Sequence, residues 1–174
     1  MKTPACASLF DDRQCVFSPC RLYRYFLKIV WDSGKPRQVF IGLNPSTADE
    51  NSDDPTVRRW LGFAKDWGMG GVVILNAYAF RSTDWTRLRY PATVEDPVGP
   101  DNDFWIEQVI APTGPRPIAC WGQNASKIRD GKRGEYLVNK FGPFDCLGQN
   151  ADGSPCHPLY LRKDTEPRPW GPNK

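Results

Sequence analysis

Two short apolar runs, Gln38-Val39-Phe40-Ile41 and Val72-Val73-Ile74-Leu75, stand on either side of one capped amphipathic segment, and this arrangement admits few folds. Runs of this length and composition read as strands buried on both faces. Between them Asp54-Pro55 offers an N-cap aspartate with proline at the first helical position. Val57, Trp60, Leu61, Ala64 and Trp67 then recur at helical spacing, Arg58, Arg59 and Lys65 take other faces, and Gly68-Met69-Gly70-Gly71 ends the helix. Strand, helix and strand in this order predict a βαβ unit with a parallel pair.

Further elements extend this unit. Arg21-Leu22-Tyr23-Arg24-Tyr25-Phe26-Leu27-Lys28-Ile29-Val30-Trp31 partly alternates and is rich in β-branched and aromatic residues, so it reads as a strand followed by the turn Asp32-Ser33-Gly34-Lys35-Pro36. Asp101 or Asn102 can cap a helix through Trp105, Ile106, Val109 and Ile110. Pro117-Ile118-Ala119-Cys120-Trp121 reads as a core strand that Gly122-Gln123-Asn124-Ala125-Ser126-Lys127 turns into a helix, with residues 135–141 continuing that helical region. Phe144-Asp145-Cys146-Leu147 is the last strand. Residues 80–100 form a long polar loop carrying Arg81, Arg87 and Arg89, and loops of such length in a compact domain are usually functional or mobile. One domain is expected over residues 1–163, with a Cys-containing N-terminal extension at 1–20 and a Pro-rich tail at 164–174 that frays.

Composition excludes more than it selects. The 174 residues suffice for one core and leave little for a second. A formal net charge of +3 does not by itself announce a nucleic-acid partner. No stretch approaches the ~20 apolar residues of a membrane span. The first residues lack the apolar core of a secretory signal, so a cytoplasmic chain without membrane contact is expected. Under that expectation the six cysteines stay reduced, and with no C-x-x-C pair among them neither a metal site nor a cofactor is expected. A G-x-S-x-G elbow, a Walker-type phosphate loop and a dinucleotide fingerprint are all absent. Seven tryptophans and seventeen prolines suit rigid loops lined by aromatics around a pocket.

The strands also end in polar residues: Asn44, Asn76, the Trp121-Gly122-Gln123 step and, one turn after the last strand, His157. In open parallel sheets ligands bind at those ends, so the pattern predicts a pocket without naming its ligand. His157, the only histidine, follows a glycine-containing turn and precedes a proline, which fits a pocket edge as readily as a structural role. Asn-Pro-Ser also commonly starts turns, and Asn76 can simply cap a strand end. Cys156 beside His157 makes a poor nucleophile pair, because adjacent residues of an extended segment point to opposite sides.

Four stretches carry a family resemblance. Val39-Phe40-Ile41-Gly42-Leu43-Asn44-Pro45-Ser46 resembles the first motif of the uracil-DNA glycosylase superfamily, nearest its mismatch-specific branch. Val73-Ile74-Leu75-Asn76-Ala77 is similar to the strand whose terminal Asn reads the base edge. The segment Ala119-Cys120-Trp121-Gly122-Gln123-Asn124-Ala125-Ser126-Lys127 resembles the superfamily's Trp-Gly strand-to-helix turn, and His157-Pro158-Leu159-Tyr160-Leu161 resembles its His-Pro loop. They stand in the superfamily's order over residues 38–161. The fuller pattern of Asn-Pro-Ser-Thr-Ala-Asp, Asp-Pro-Thr, Pro-Val-Gly-Pro-Asp-Asn and His-Pro-Leu-Tyr-Leu resembles an uncharacterised bacterial and phage domain family. The resemblance implies an α/β fold: a single three-layer domain with a central, mainly parallel four-stranded sheet and an N-terminal β-hairpin. Two departures are plain. Asn44 and Ser46 stand where the uracil-specific branch has a water-orienting Asp with a Tyr nearby, so strict uracil specificity is not implied. Leu159-Tyr160 replaces the usual Ser-Pro of the His-Pro loop.

The roles implied by that resemblance are those of a DNA glycosylase acting on a flipped base. His157 donates to the oxyanion developing on the base and Asn44 positions the water. Asn76 and Ser46 bind the base, and Tyr78 or Phe80 stacks on it. Leu159 or Leu161 fills the gap left in the helix. Ser126 and Lys127 hold phosphate at a helix start, while Arg81, Arg87 and Arg89 read the partner strand or a bulky group on the base. DNA is the expected partner of a monomer, with RNA or a free nucleotide left open. A binding module that holds a modified base, a nucleotide or nucleic acid without cleaving it, and an enzyme that modifies bases or nucleotides, remain alternatives.

Overall fold

The structure, a computed structural model, describes residues 12–46, 48, 52–110 and 114–171. Seven strands join in one sheet: β1 Asp12–Phe17, β2 Arg24–Val30, β3 Arg37–Gly42, β4 Gly71–Asn76, β5 Ile118–Ala119, β6 Phe144–Cys146 and β7 Arg168–Trp170. Three α-helices, α1 Pro55–Asp66, α2 Asn102–Ile110 and α3 Arg133–Phe141, lie among the described residues. The strand order is β1-β2-β4-β3-β5-β6-β7. β4, β3, β5 and β6 pair in parallel, whereas β1–β2, β2–β4 and β6–β7 are antiparallel.

The alternation along β4 explains its unbroken apolar sequence. Val72 and Ile74 belong to one core with Phe40, Val57, Trp60 and Phe63, beneath α1. Val73 and Leu75 belong to a second core with Ile41, Ile106, Leu137 and Phe144, beneath α2 and α3. A strand with a core on each face has no position that tolerates a polar side chain until it leaves the sheet, which β4 does at Asn76. Helix α1 forms where the sequence places it: Asp54 caps it by accepting the Val57 N–H at 2.8 Å, and Pro55 occupies its first turn.

Several expectations are corrected. The sheet has seven strands rather than four, because antiparallel strands flank the parallel ones on both sides. Residues 12–17 of the presumed extension form β1, paired with β2 across residues 18–23; residues 1–11, with Cys6, lie outside the described residues. The tail at 164–174 contributes edge strand β7, where Pro169 is tolerated, and Trp170 packs T-shaped on Trp121 at 5.4 Å. The turn at residues 32–36 does not fold β2 onto β3. It carries the chain past the start of β4: the N–H groups of Trp31 and Asp32 both donate to the Gly70 carbonyl at 2.9 Å. A Cβ on Gly70 would lie 2.0 Å from the Asp32 carbonyl oxygen, so this crossing requires glycine. The helix expected from residue 122 is two elements, a 3₁₀ turn at Gln123–Lys127 and the separate α3. The loop at 80–100 likewise holds a 3₁₀ turn, Trp85–Arg89. Among the described residues no helix is long and apolar enough to cross a membrane.

Candidate functional site

The C-terminal ends of β3, β4 and β5 and the segment after β6 open onto one cleft of about 530 Å³. This is where a parallel sheet leaves room between diverging loops. At its floor Asn76 is 1% exposed, and its Nδ2 has no hydrogen-bond partner. A buried amide donor without an acceptor is rare and costly. Its backbone is held from behind. The Asn102 Nδ2 donates to the Asn76 carbonyl at 3.0 Å, and Arg133 Nε donates to the Ala77 carbonyl at 2.8 Å. Gly42 makes this floor possible. A Cβ there would lie 2.8 Å from Trp60 Cη2 and 3.1 Å from Asn76 Oδ1.

Asn44 lines the cleft and staples two loops. Its Nδ2 donates to the carbonyls of Pro45 at 3.1 Å, Phe80 at 3.4 Å and Ser82 at 2.8 Å. Three carbonyl partners fix the nitrogen on that side and leave Oδ1 as the free acceptor.

Across the cleft, His157 accepts the Leu159 N–H at Nδ1, at 3.4 Å. A neutral imidazole that accepts at Nδ1 carries its proton on Nε2 and offers a donor there. Burial lowers the His157 pKa from its ordinary 6.5, and the Asp54 carboxylate opposes the shift, so the ring is neutral at pH 7. Gly122, in the left-handed region at φ 71°, sets the turn beside it; a Cβ there would meet His157 Cβ at 3.5 Å. Asp54 lines the cleft as well, the one carboxylate among its described lining residues. Its cap bond to Val57 uses Oδ1. Arg24, at the start of β2, also reaches the cleft although it is 1% exposed.

The other expected residues are spread more widely. Ser46 and Leu161 line the cleft. Tyr78 is buried on the far side of the sheet, beside Arg129 and Arg133 in a second cavity. Phe80 packs edge-on against Tyr23 at 5.7 Å and does not line the cleft. Ser126 Oγ donates to the Gln123 carbonyl at 2.8 Å and Lys127 Nζ to Asn124 Oδ1 at 3.3 Å, on the outer side of a 3₁₀ turn whose Gln123 and Asn124 face the cleft. Leu159 is exposed outside the cleft, whereas Tyr160, 87% exposed, stands at its mouth. The guanidiniums of Arg81, Arg87 and Arg89 lie over Phe17, Phe80 and Tyr90, at 4.8, 6.0 and 5.4 Å from the ring centroids. None of the three lines the cleft.

Sequence reading missed Arg24, Trp60 and Asp54 as cleft residues. Asp54 was legible only as a cap, and Trp60 only as core. A charge among aromatics in Tyr23-Arg24-Tyr25 was the available signal for Arg24. Among the described residues Cys20, Cys120, Cys146 and Cys156 are free thiols, and no His, Cys, Asp and Glu group is arranged to hold a metal. The family described as Protein of unknown function (DUF1643) matches residues 24–159, a span that holds every cleft residue except Tyr160 and Leu161. No curated protein and no solved structure matches.

Proposed function

On the premise that the chain belongs to this family of unknown function, as the match over residues 24–159 establishes, we propose that the cleft binds a nucleobase and hydrolyses its N-glycosidic bond. The observation that carries this reading is the buried, unpartnered Nδ2 of Asn76 on the cleft floor. An amide offers a donor and an acceptor side by side, which matches the edge of a base whose ring presents the complementary pair. Trp60, Trp85 and Trp121 give the cleft planar apolar surface for such a ring.

The chemistry follows from the charges. As the bond breaks, the electron pair passes to the base, and the Nε2–H of His157 donates to the oxygen on which that charge settles. A water, accepted by Asn44 Oδ1, adds to the sugar carbon. Asp54 takes its proton and faces the cation-like sugar, a task that Asn44 cannot perform. The motif likeness to uracil-DNA glycosylases supports this reading, and Tyr160 at the mouth, next to Leu159, suits a wedge that holds an extruded base out of its stack. Binding without cleavage is the second reading, favoured by the use of the Asn44 nitrogen as a loop staple.

The test is release of free base from single- and double-stranded DNA bearing uracil, mismatched or bulky modified bases. Release that disappears in His157→Ala, with melting unchanged, supports the hydrolase. Equal release in that variant overturns the role of the histidine, and binding without release by the wild type turns the reading to the second one.

A further inference from the structure

We infer that Arg24 forms an anion subsite in the cleft, which takes a phosphate group of the ligand. The inference rests on the reading of the cleft as a nucleobase pocket but is tested apart from it. Arg24 carries a charge that stays on at any physiological pH, yet the residue is 1% exposed. Among the described residues it makes no ion pair with a carboxylate. Asp54 acts on it only from beyond ion-pair distance. Its Nη1 donates to the Ala48 carbonyl, while its Nε is buried and donates to nothing. A guanidinium removed from water with part of its donor fork unused is strongly destabilising unless an anion completes it.

The surroundings fit such an anion. The Arg24 backbone N–H is tied to the Ala79 carbonyl at 3.0 Å and its guanidinium to Ala48, so it lies between the loops that follow β3 and β4. Those two loops bring Ser46 and Thr83 to the same cleft; Ser82 lines it too, but its hydroxyl already donates to the Asp84 carbonyl at 2.7 Å. Hydroxyls lining the same cleft as a guanidinium fork suit a phosphate oxygen set, and the planar fork favours phosphate over a point anion. A base on Asn76 and a phosphate on Arg24 together define a nucleotide rather than a nucleoside or free base.

The experiment is an NMR titration of the full chain with inorganic phosphate at constant ionic strength set by chloride. It reads the Arg24 Nε–H resonance, assigned by its absence in Arg24→Lys. A saturable downfield shift is expected, and no shift, or the same shift with chloride, overturns the subsite. The second arm compares a deoxynucleoside, its 5′-monophosphate and a short oligonucleotide, each bound to wild type and to Arg24→Lys. About tenfold or tighter binding of a phosphate-bearing ligand over the nucleoside, reduced in the variant, supports the subsite. Preference for the monophosphate identifies a terminal phosphate as the source, and preference for the oligonucleotide a backbone phosphate. Equal binding of all three to both proteins overturns it. Because neither arm reads cleavage, absent base release with Arg24-dependent phosphate binding would remove the hydrolase and leave the subsite standing.

Discussion

Gly42 is the residue on which the site most depends without taking part in any chemistry. Trp60 and Asn76 both press on the space a side chain would fill, and neither is a flexible chain end. Gly42→Ala is expected to cost about 1–3 kcal/mol in denaturant unfolding and to weaken ligand binding, because one methyl displaces both the apolar wall and the amide floor. His157 gives a prediction in pH. Burial holds its folded pKa below the ordinary 6.5 of the unfolded chain, so between those two values the unfolded state binds more protons. Stability is therefore retained above pH 6.5 and lost as the pH falls toward the folded value. Melting curves of His157→Gln should show less of this acid-side loss than wild type, and an identical pH profile would contradict it. At this scale the sequence made Asn76 legible because it ends a strand, Asn44 because it follows one closely, and His157 because it is the only histidine and stands before a proline past the last strand's turn. Arg24 and Asp54 were not, since burial of a charge and the reach of a cap depend on loops from elsewhere in the chain.

At the scale of elements, α1 joins stability to function through Asp54, and two substitutions separate them. Asp54→Asn keeps an oxygen that caps the Val57 N–H, so stability should change little, while any base release should fall steeply for lack of a carboxylate. Asp54→Ala should lose both, with about 1 kcal/mol of stability. Equal activity in Asp54→Asn and wild type would exclude the carboxylate from the chemistry. The same helix was readable from its cap, its proline and its apolar spacing, and β4 from its unbroken apolar run. β1 and β7 were not readable. Asp12–Phe17 and Arg168–Trp170 are half-polar edge segments whose strand state comes from a partner strand rather than from their own pattern. The turn at residues 32–36 does not join neighbouring strands, because the fold inserts β4 between β2 and β3, and no pattern local to the turn shows that.

For the whole molecule, the sheet with a core on each face makes its edges matter. β7 closes the β6 edge, and Trp170 covers Trp121, which walls the cleft. Removing residues 164–174 should therefore lower stability by about 1–3 kcal/mol and loosen the cleft, whereas a merely frayed tail would leave melting unchanged. The measurement that decides most about the molecule is incubation of wild type with its cleaved substrate in ¹⁸O-labelled water, followed by product mass. N-glycosidic hydrolysis places one label on the sugar carbon and releases an unlabelled base, and that result is expected. Label on the base would mean chemistry on the ring instead, and would contradict glycosidic cleavage by His157, Asn44 and Asp54.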